Sequence, residues 1–346
     1  MTLLESKPRS LSNLLSKFGT SRWLILIDED HVMKFVHKFL ADKPSQELVI
    51  ITENSDNITD ILYLKETETQ ITYGGNLSNL PEWSQQSWSG VILGTQTDLQ
   101  KRETESLMQM RLKGIPVYRL PDIWEALYQK VPPSLLEDEW FTFSSDFRLV
   151  SSYIHQQIKR FTDIIVTILL FILLFPLMVL VGLMIKLDSP GLIFYSQLRT
   201  GLNGKPFLVY KFRSMYQEAE KQGAQWATQR DPRITRVGHW LRLLRIDELP
   251  QLWNVLRSEM SLIGPRPERP EFDVKLKEAI PYYELRYLVK PGITGWAQVL
   301  YPYGASVEDA YEKLSYDIYY LKNYSLWLDL VIAFKTIKVV LLGKGR

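Results

Sequence analysis

The feature that most constrains this chain is a run of 22 residues without a charge, positions 164–185, reading IIVTILLFILLFPLMVLVGLMI. At ~1.5 Å per residue a helix of that length reaches about 33 Å, enough to cross the hydrocarbon of a bilayer. The competing reading is a buried core helix, but an uncharged run this long fits few soluble cores. Pro176 lies near its middle. A proline there removes one backbone donor and clashes with the preceding turn, so the residues predict a break or sharp kink at Pro176. Basic residues flank both ends, with Lys159 and Arg160 before the run and Lys186 and Arg199 after it. The positive-inside tendency then places both flanks on the cytoplasmic side. A helix over about 160–186 that enters the membrane, breaks at proline and returns reconciles these facts. It requires the carbonyls freed at the break to find partners, and Thr167 or neighbouring helices are candidates.

The 346 residues suffice for two domains. Lys and Arg number 41 against 39 Asp and Glu, a formal net charge of +2. That balance argues against a nucleic-acid binder and leaves anion binding to local clusters. Cysteine is absent, which excludes disulfides, thiolate nucleophiles and cysteine zinc sites. The opening MTLLESKPRSLSNLLSKFG carries charges throughout and has no apolar core of signal-peptide length, so the bulk of the protein is expected in the cytoplasm. From Trp23 to about Leu120, short apolar runs (WLILIDE, ELVIIT, QITYGG, SGVILGT, IPVYRLP) alternate with helical patterns. Such alternation predicts an α/β domain with an open, mostly parallel sheet over about 1–150. The turn after the first strand reads IDEDHV and lacks the glycines of a dinucleotide site. A structural, regulatory or oligomerising role is therefore expected for this domain. Residues 131–152, with Pro-Pro and Glu-Asp-Glu, read as the connection to a second domain, 151–346.

In that second part, residues 241–267 read LRLLRIDELPQLWNVLRSEMSLIGPRP. Asp247 and Glu248 lie between Arg242 and Arg245 on one side and Arg257, Arg266 and Arg269 on the other. Adjacent carboxylates among arginines suit phosphate chemistry, where one can attack or hold Mg²⁺ while guanidinium forks neutralise phosphoryl oxygens. The same pattern also describes a solvated helix face with surface ion pairs. Pro250 places the pair at or just before the start of the QLWNVLRSEM helix, where free amides favour negative charge. Lys211 and Arg213 share a strand-like run, LVYKFRSM, within turn signals that suggest a strand pair. The stretch LVKPGITGWAQVLYPYGASVEDA reads as a loop offering Trp296, Tyr301 and Tyr303 either for packing or for a base or sugar. An apolar helix from about 326 to 342 carries Asp329, Lys335 and Lys338 and suits either a membrane interface or an amphipathic core helix.

From about Lys159 onward the chain resembles the bacterial sugar transferases, the monotopic phosphoglycosyl transferases. The matching pieces, in order, are KRFTD, SPGLIFYSQLRTGLNGKPF, YKFRSM, DPRITRVGHWLR, IDELPQLWNVLRSEMSLIGPRP, KPGITGWAQV and YDIYYLKNYSLWLDL. The N-terminal part resembles, more weakly, the Rossmann-like module of larger members, while YPYGASVEDA and LLGKGR resemble members serving exopolysaccharide export. Arg245 departs from the pattern, since many members have a small hydroxyl residue there. The resemblance implies a mostly helical catalytic domain on the cytoplasmic face of the bacterial inner membrane, anchored by a re-entrant helix. It implies transfer of a sugar-1-phosphate from a UDP-sugar to polyprenyl (undecaprenyl) phosphate with Mg²⁺ and release of UMP, the initiating step of exopolysaccharide or other lipid-linked glycan synthesis. Asp247 would be the covalent nucleophile and Glu248 would help hold Mg²⁺. Arg242, Arg266, Lys211 and Arg213 would bind phosphates. Membrane lipids and a second copy of the chain are the implied further partners. The sugar stays open among glucose, galactose and N-acetylated sugars.

Overall fold

The computed structural model describes residues 21–26, 32–42, 46–53, 58–59, 61, 70–94, 99–138, 147, 152–217, 231–301, 304 and 306–341. The N-terminal charged stretch, the turn after the first strand at 27–31, most of the connection after 138, Tyr303 and the closing LLGKGR (from 342) lie outside the described residues. The chain divides into two compact units, Met1–Thr142 and Phe143–Arg346.

In the first unit all five apolar runs are strands: β1 (Arg22–Leu26), β2 (Glu47–Ile51), β3 (Ile71–Tyr73), β4 (Gly90–Leu93) and β5 (Val117–Arg119). They form one parallel sheet in the order β3-β2-β1-β4-β5. Helices intervene: α1 (Val32–Asp42), the short α2 (Leu80–Trp83), α3 (Lys101–Leu112) and α4 (Leu120–Tyr128). Side chains on a strand alternate between faces, so a sheet covered on both sides needs continuous apolar runs. Trp23, Ile25, Leu48, Ile50 and Ile92 accordingly pack one way, against Phe35 and Phe39 of α1 and Ile123 and Trp124 of α4. Leu24, Leu26, Val49, Ile51 and Val91 pack the other way, against Leu80 of α2 and Leu107 and Met110 of α3.

The second unit begins with α5 (Tyr153–Asp188), a 36-residue helix. Its most apolar 18-residue window has a mean hydropathy of 3.3 and is only 11 % buried. The helix runs without interruption through Pro176. A proline deletes one amide and pushes against one earlier carbonyl, and the remaining ladder bonds keep the residues on both sides of Pro176 helical. Both ends of α5 fasten to this same unit. At the first end Arg160 donates to the carbonyls of Val255 and Leu256 at 2.6 and 3.0 Å. Asp163 accepts from Ser261 Oγ at 2.7 Å, and Lys159 reaches Asp329 at 2.8 Å. At the other end Val181 and Ile185 pack on Phe212 and Leu241, and Asp188 accepts from the Val237 amide at 3.1 Å. Between them, no residue from 168 to 180 is buried.

A hairpin, β6 (Phe194–Thr200) and β7 (Pro206–Phe212), follows α5 as the turn signals predicted. After it come α6 (Arg236–Leu243), α7 (Gln251–Leu256), β8 (Ser261–Ile263), α8 (Pro270–Ala279), β9 (Gly292–Thr294), α9 (Trp296–Leu300), α10 (Val307–Lys322) and α11 (Leu326–Leu341). The segment read as a loop around 292–300 therefore contains a strand and a helix. Gly292 lets β9 approach β8, because a Cβ there would fall 2.1 Å from the Gly264 nitrogen. The last helix is two-faced. Leu328 and Ile332 enter a core with Tyr320 and Tyr324, whereas Trp327, Leu330, Phe334 and Ile337 are exposed.

Candidate active site

Asp247 and Glu248 occupy a single 3₁₀ turn, Ile246–Glu248, between α6 and α7. Thr235 caps α6 by accepting from the Gly238 amide, and α6 ends at a positive-φ residue, Arg245 (φ 54°). A side chain in the left-handed region costs of order 1–3 kcal/mol, so the turn is held by its surroundings rather than by local preference. Pro250 then starts α7, where proline is tolerated because the first-turn amides lack intrahelical partners.

Both carboxylates are buried, Asp247 being 9 % and Glu248 6 % exposed. Glu248 is clamped. Arg266 donates to it twice, Nη2 to Oε1 at 2.6 Å and Nη1 to Oε2 at 3.3 Å, and Lys211 Nζ reaches Oε1 at 3.0 Å. Burial alone would raise Glu248, but the charges of Arg266 and Lys211 outweigh it and hold the carboxyl well below the ordinary range. Asp247 behaves oppositely. Burial and the neighbouring Glu248 charge push it up to about 6, against the pull of Lys211, Arg242 and Arg266. Among the described residues its oxygens accept no hydrogen bond, so the site holds one neutralised carboxylate and one that is buried among cations without a direct partner.

The structure thus brings together Asp247, Glu248, Lys211 and Arg266, with the charge of Arg242 acting on Asp247. Arg213 is not gathered with them. Its guanidinium donates to the Pro190 and Ser189 carbonyls at 2.8 and 2.6 Å and to Ser189 Oγ at 2.9 Å. Those groups sit at the end of α5, whose last carbonyls have no intrahelical donor, and a nearby cation fills that need before any ligand does. Arg213 is therefore a capping residue and the phosphate role expected for it is corrected. Arg257 likewise turns away, pairing with Glu259 at 3.2 Å. Trp296 is buried and stacks on Tyr319, and Tyr301 donates to Asp309, so these aromatics serve packing.

Two cations were not singled out as site residues from the sequence. The charge of Arg245 falls on both Glu248 and Asp247, and Arg199, half-buried beside Glu268 and Arg266, also senses Glu248. Position beside the dyad could have signalled Arg245; nothing local marks Arg199, which arrives through the β6–β7 hairpin. Arg266 is itself supported from behind, since buried Arg286 donates to its carbonyl at 2.8 Å.

Asp247 and Glu248 are the carboxylates this site offers a divalent ion. Two hard carboxylates stand side by side, and no cluster of three or more Asp, Glu, His or Cys occurs among the described residues. Mg²⁺ keeps waters and substrate phosphates as ligands and needs only one or two carboxylates from the protein.

The family model for bacterial sugar transferases matches residues 154–343, more than half of the chain. The chain is 45 % identical over 239 residues to a UDP-N-acetylgalactosamine-undecaprenyl-phosphate N-acetylgalactosaminephosphotransferase of Aeromonas hydrophila, covering 69 % of this chain and 55 % of that one. It is 47 % identical over 186 residues to an undecaprenyl-phosphate glucose phosphotransferase of Komagataeibacter xylinus, covering 52 % and 35 %. It is 40 % identical over 188 residues to the UDP-glucose:undecaprenyl-phosphate glucose-1-phosphate transferase of Escherichia coli K12, covering 54 % and 40 %. The matched region is thus about half or less of each relative's length. With the paired carboxylates, their cationic clamp and the exposed apolar helix all inside the matched region, this chain belongs to the bacterial sugar transferase family.

Proposed function

We propose that the protein transfers a sugar-1-phosphate from a UDP-sugar to polyprenyl phosphate and releases UMP. The observation that carries this reading is the asymmetry of the dyad: a buried Asp247 whose oxygens accept no hydrogen bond among the described residues, beside a Glu248 already neutralised by Lys211 and Arg266. An Asp247 oxygen attacks the phosphorus that bears the sugar. The bond between that phosphorus and the UMP oxygen breaks, and UMP leaves with the electron pair. An oxygen of polyprenyl phosphate then attacks the same phosphorus and displaces the Asp247 carboxylate, giving a polyprenyl diphosphate sugar. Arg242, Arg245 and Arg266 neutralise phosphoryl oxygens throughout, because phosphoryl transfer gains mainly from positioning and charge stabilisation. Glu248 would help hold Mg²⁺ with the diphosphate, and the ion would supply further charge neutralisation.

The attachment of both ends of α5 to one unit supports a re-entrant rather than a crossing helix, with the exposed 168–180 segment sunk in the cytoplasmic leaflet of the inner membrane. The apolar face of α11 (Trp327, Leu330, Phe334, Ile337) would lie on the same membrane surface, among its lipids. The N-terminal unit, with its strand order reversing between β1 and β4, is read as a Rossmann-like module that regulates or dimerises the enzyme. The test is UMP release by solubilised protein with polyprenyl phosphate and Mg²⁺. UDP-N-acetylgalactosamine and UDP-glucose, the donors named for the relatives, head the panel. UMP release from one donor, lost in Asp247→Asn, is expected; UDP release instead would mean glycosyl transfer and end the proposal.

A further inference from the structure

A groove of about 390 Å³ runs between α5 and α6. Leu177, Leu180 and Met184 form one wall, Trp240 and Leu244 the other, and it reaches Ile246, the residue before Asp247. We infer that this groove holds the polyprenyl chain of the phosphate acceptor, with the chain's phosphate end at Ile246 beside the dyad. The inference rests on the function proposed above and assigns the acceptor a place in it.

Three observations carry it. First, the walls are aliphatic apart from Trp240 and from Arg236 at the start of α6, so they suit a hydrocarbon and offer a sugar or nucleotide almost no hydrogen bonds. Second, the groove reaches the 3₁₀ turn that carries the dyad. Ile246 packs with Met178, Val237 and Leu241 in the cluster joining α5 to α6, while the next residue in the chain is Asp247. Arg242 lies on α6 between the groove residues Leu241 and Leu244, and its charge acts on Asp247. Third, one wall belongs to the helix whose apolar flank is exposed from 168 to 180, so a chain in the groove passes into the lipid phase without crossing a polar surface. Leu177, Leu180, Trp240 and Leu244 are 37, 54, 63 and 41 % exposed, which leaves a large apolar surface for a chain to cover. The volume accommodates a few branched five-carbon units.

The probe is a polyprenyl phosphate carrying a diazirine near its phosphate end, added to the full chain in phosphatidylglycerol nanodiscs, irradiated and mapped by peptide mass. Adducts are expected on 177–184 and 237–244, suppressed by unlabelled polyprenyl phosphate and not by the dephosphorylated polyprenol. Leu180→Trp with Leu244→Trp fills the groove at half-exposed positions. This variant should raise the acceptor KM about tenfold with kcat little changed, the mark of lost ground-state binding. Release of UMP from the donor alone should stay intact. Leu180→Ala with Leu244→Ala, which adds no bulk, should weaken labelling in the same direction. Adducts on other faces, or no effect of either variant on labelling, would overturn the inference. Equal labelling by the dephosphorylated chain would also overturn it, by showing ordinary boundary lipid. Labelling in the groove of a protein that transfers no sugar phosphate would instead sink the catalytic reading and leave the groove standing.

Discussion

Two buried acidic clusters sit close together in the second unit and differ in one respect. In the cluster behind the site, Arg286 donates to Tyr283 Oη at 2.6 Å and to the Arg266 carbonyl, and lies 3.2 Å from Asp317. Asp273 in the same region accepts from Tyr287 Oη at 2.5 Å and from Thr200 Oγ1. In the dyad, Glu248 is equally satisfied but Asp247 accepts nothing among the described residues. Burial pushes both Asp317 and Asp247 up to about 6. A raised pKa therefore does not separate the supporting aspartate from the candidate nucleophile. What separates them is what surrounds the carboxylate: Asp317 faces the one guanidinium of Arg286 and its Oδ2 accepts no hydrogen bond, whereas Asp247 lies in the field of Lys211, Arg242 and Arg266 beside a second carboxylate.

The sharpest way to break this contrast is substitution of the two aspartates. Asp247→Asn should cut UMP release by about three orders of magnitude or more, because the amide cannot serve as the nucleophile, with the unfolding midpoint little changed. Asp317→Asn should leave the rate within about threefold, since it keeps the shape and touches no substrate. Comparable losses in both would dissolve the distinction.

Arg286→Met should destabilise the protein by about 3 kcal/mol in denaturant unfolding, because it strands a buried carboxylate and frees the Arg266 carbonyl. A stable variant with lost activity would move Arg286 into the reactive cluster.

The two aspartates should also respond to pH with opposite consequences. A carboxyl raised from 3.8 to about 6 binds its proton more tightly in the folded state. Its contribution to stability is complete below about pH 4 and is lost as pH rises through 6, with a slope of at most about 1.4 kcal/mol per pH unit. Asp317→Asn should flatten that slope in unfolding curves taken between pH 4 and 6. Asp247 must lose its proton to attack, so release of UMP should fall about tenfold per unit below pH 6. A rate that is flat from pH 5 to 7 would contradict the burial-driven shift.

The smallest effect is expected at Arg213. Arg213→Lys should cost about 1–2 kcal/mol of stability through the lost forked bonds at the end of α5. The donor KM should stay unchanged, and a rise would restore Arg213 to the phosphate site.

Much of the first unit was legible because a sheet buried on both faces demands uninterrupted β-branched runs, and WLIL, LVII and GVIL state that demand locally. The dyad was legible for a different reason: adjacent acids, flanking arginines and Pro250 are contiguous in the chain. Lys211 was legible only as a basic residue on a strand. Its alternation with Arg213 suggested a shared anion site, yet Arg213 follows the last residue of β7 and turns to the end of α5. Asp329 looked like an obstacle to membrane burial and proves to be the partner of Lys159, 170 residues earlier.

By itself the sequence determined the parallel sheet, the long apolar helix, the hairpin and the position of the reactive pair. Each of these is set by periodicity, by uninterrupted apolarity or by neighbours a few residues apart. Only the tertiary structure decided that Glu248 is neutralised by Lys211 and Arg266, that α5 stays helical on both sides of Pro176, and that Arg213 caps its end. Those outcomes depend on which distant groups reach a buried charge first. Satisfying a buried charge or a helix end is a problem of space, and the spacing of residues along the chain does not record its solution.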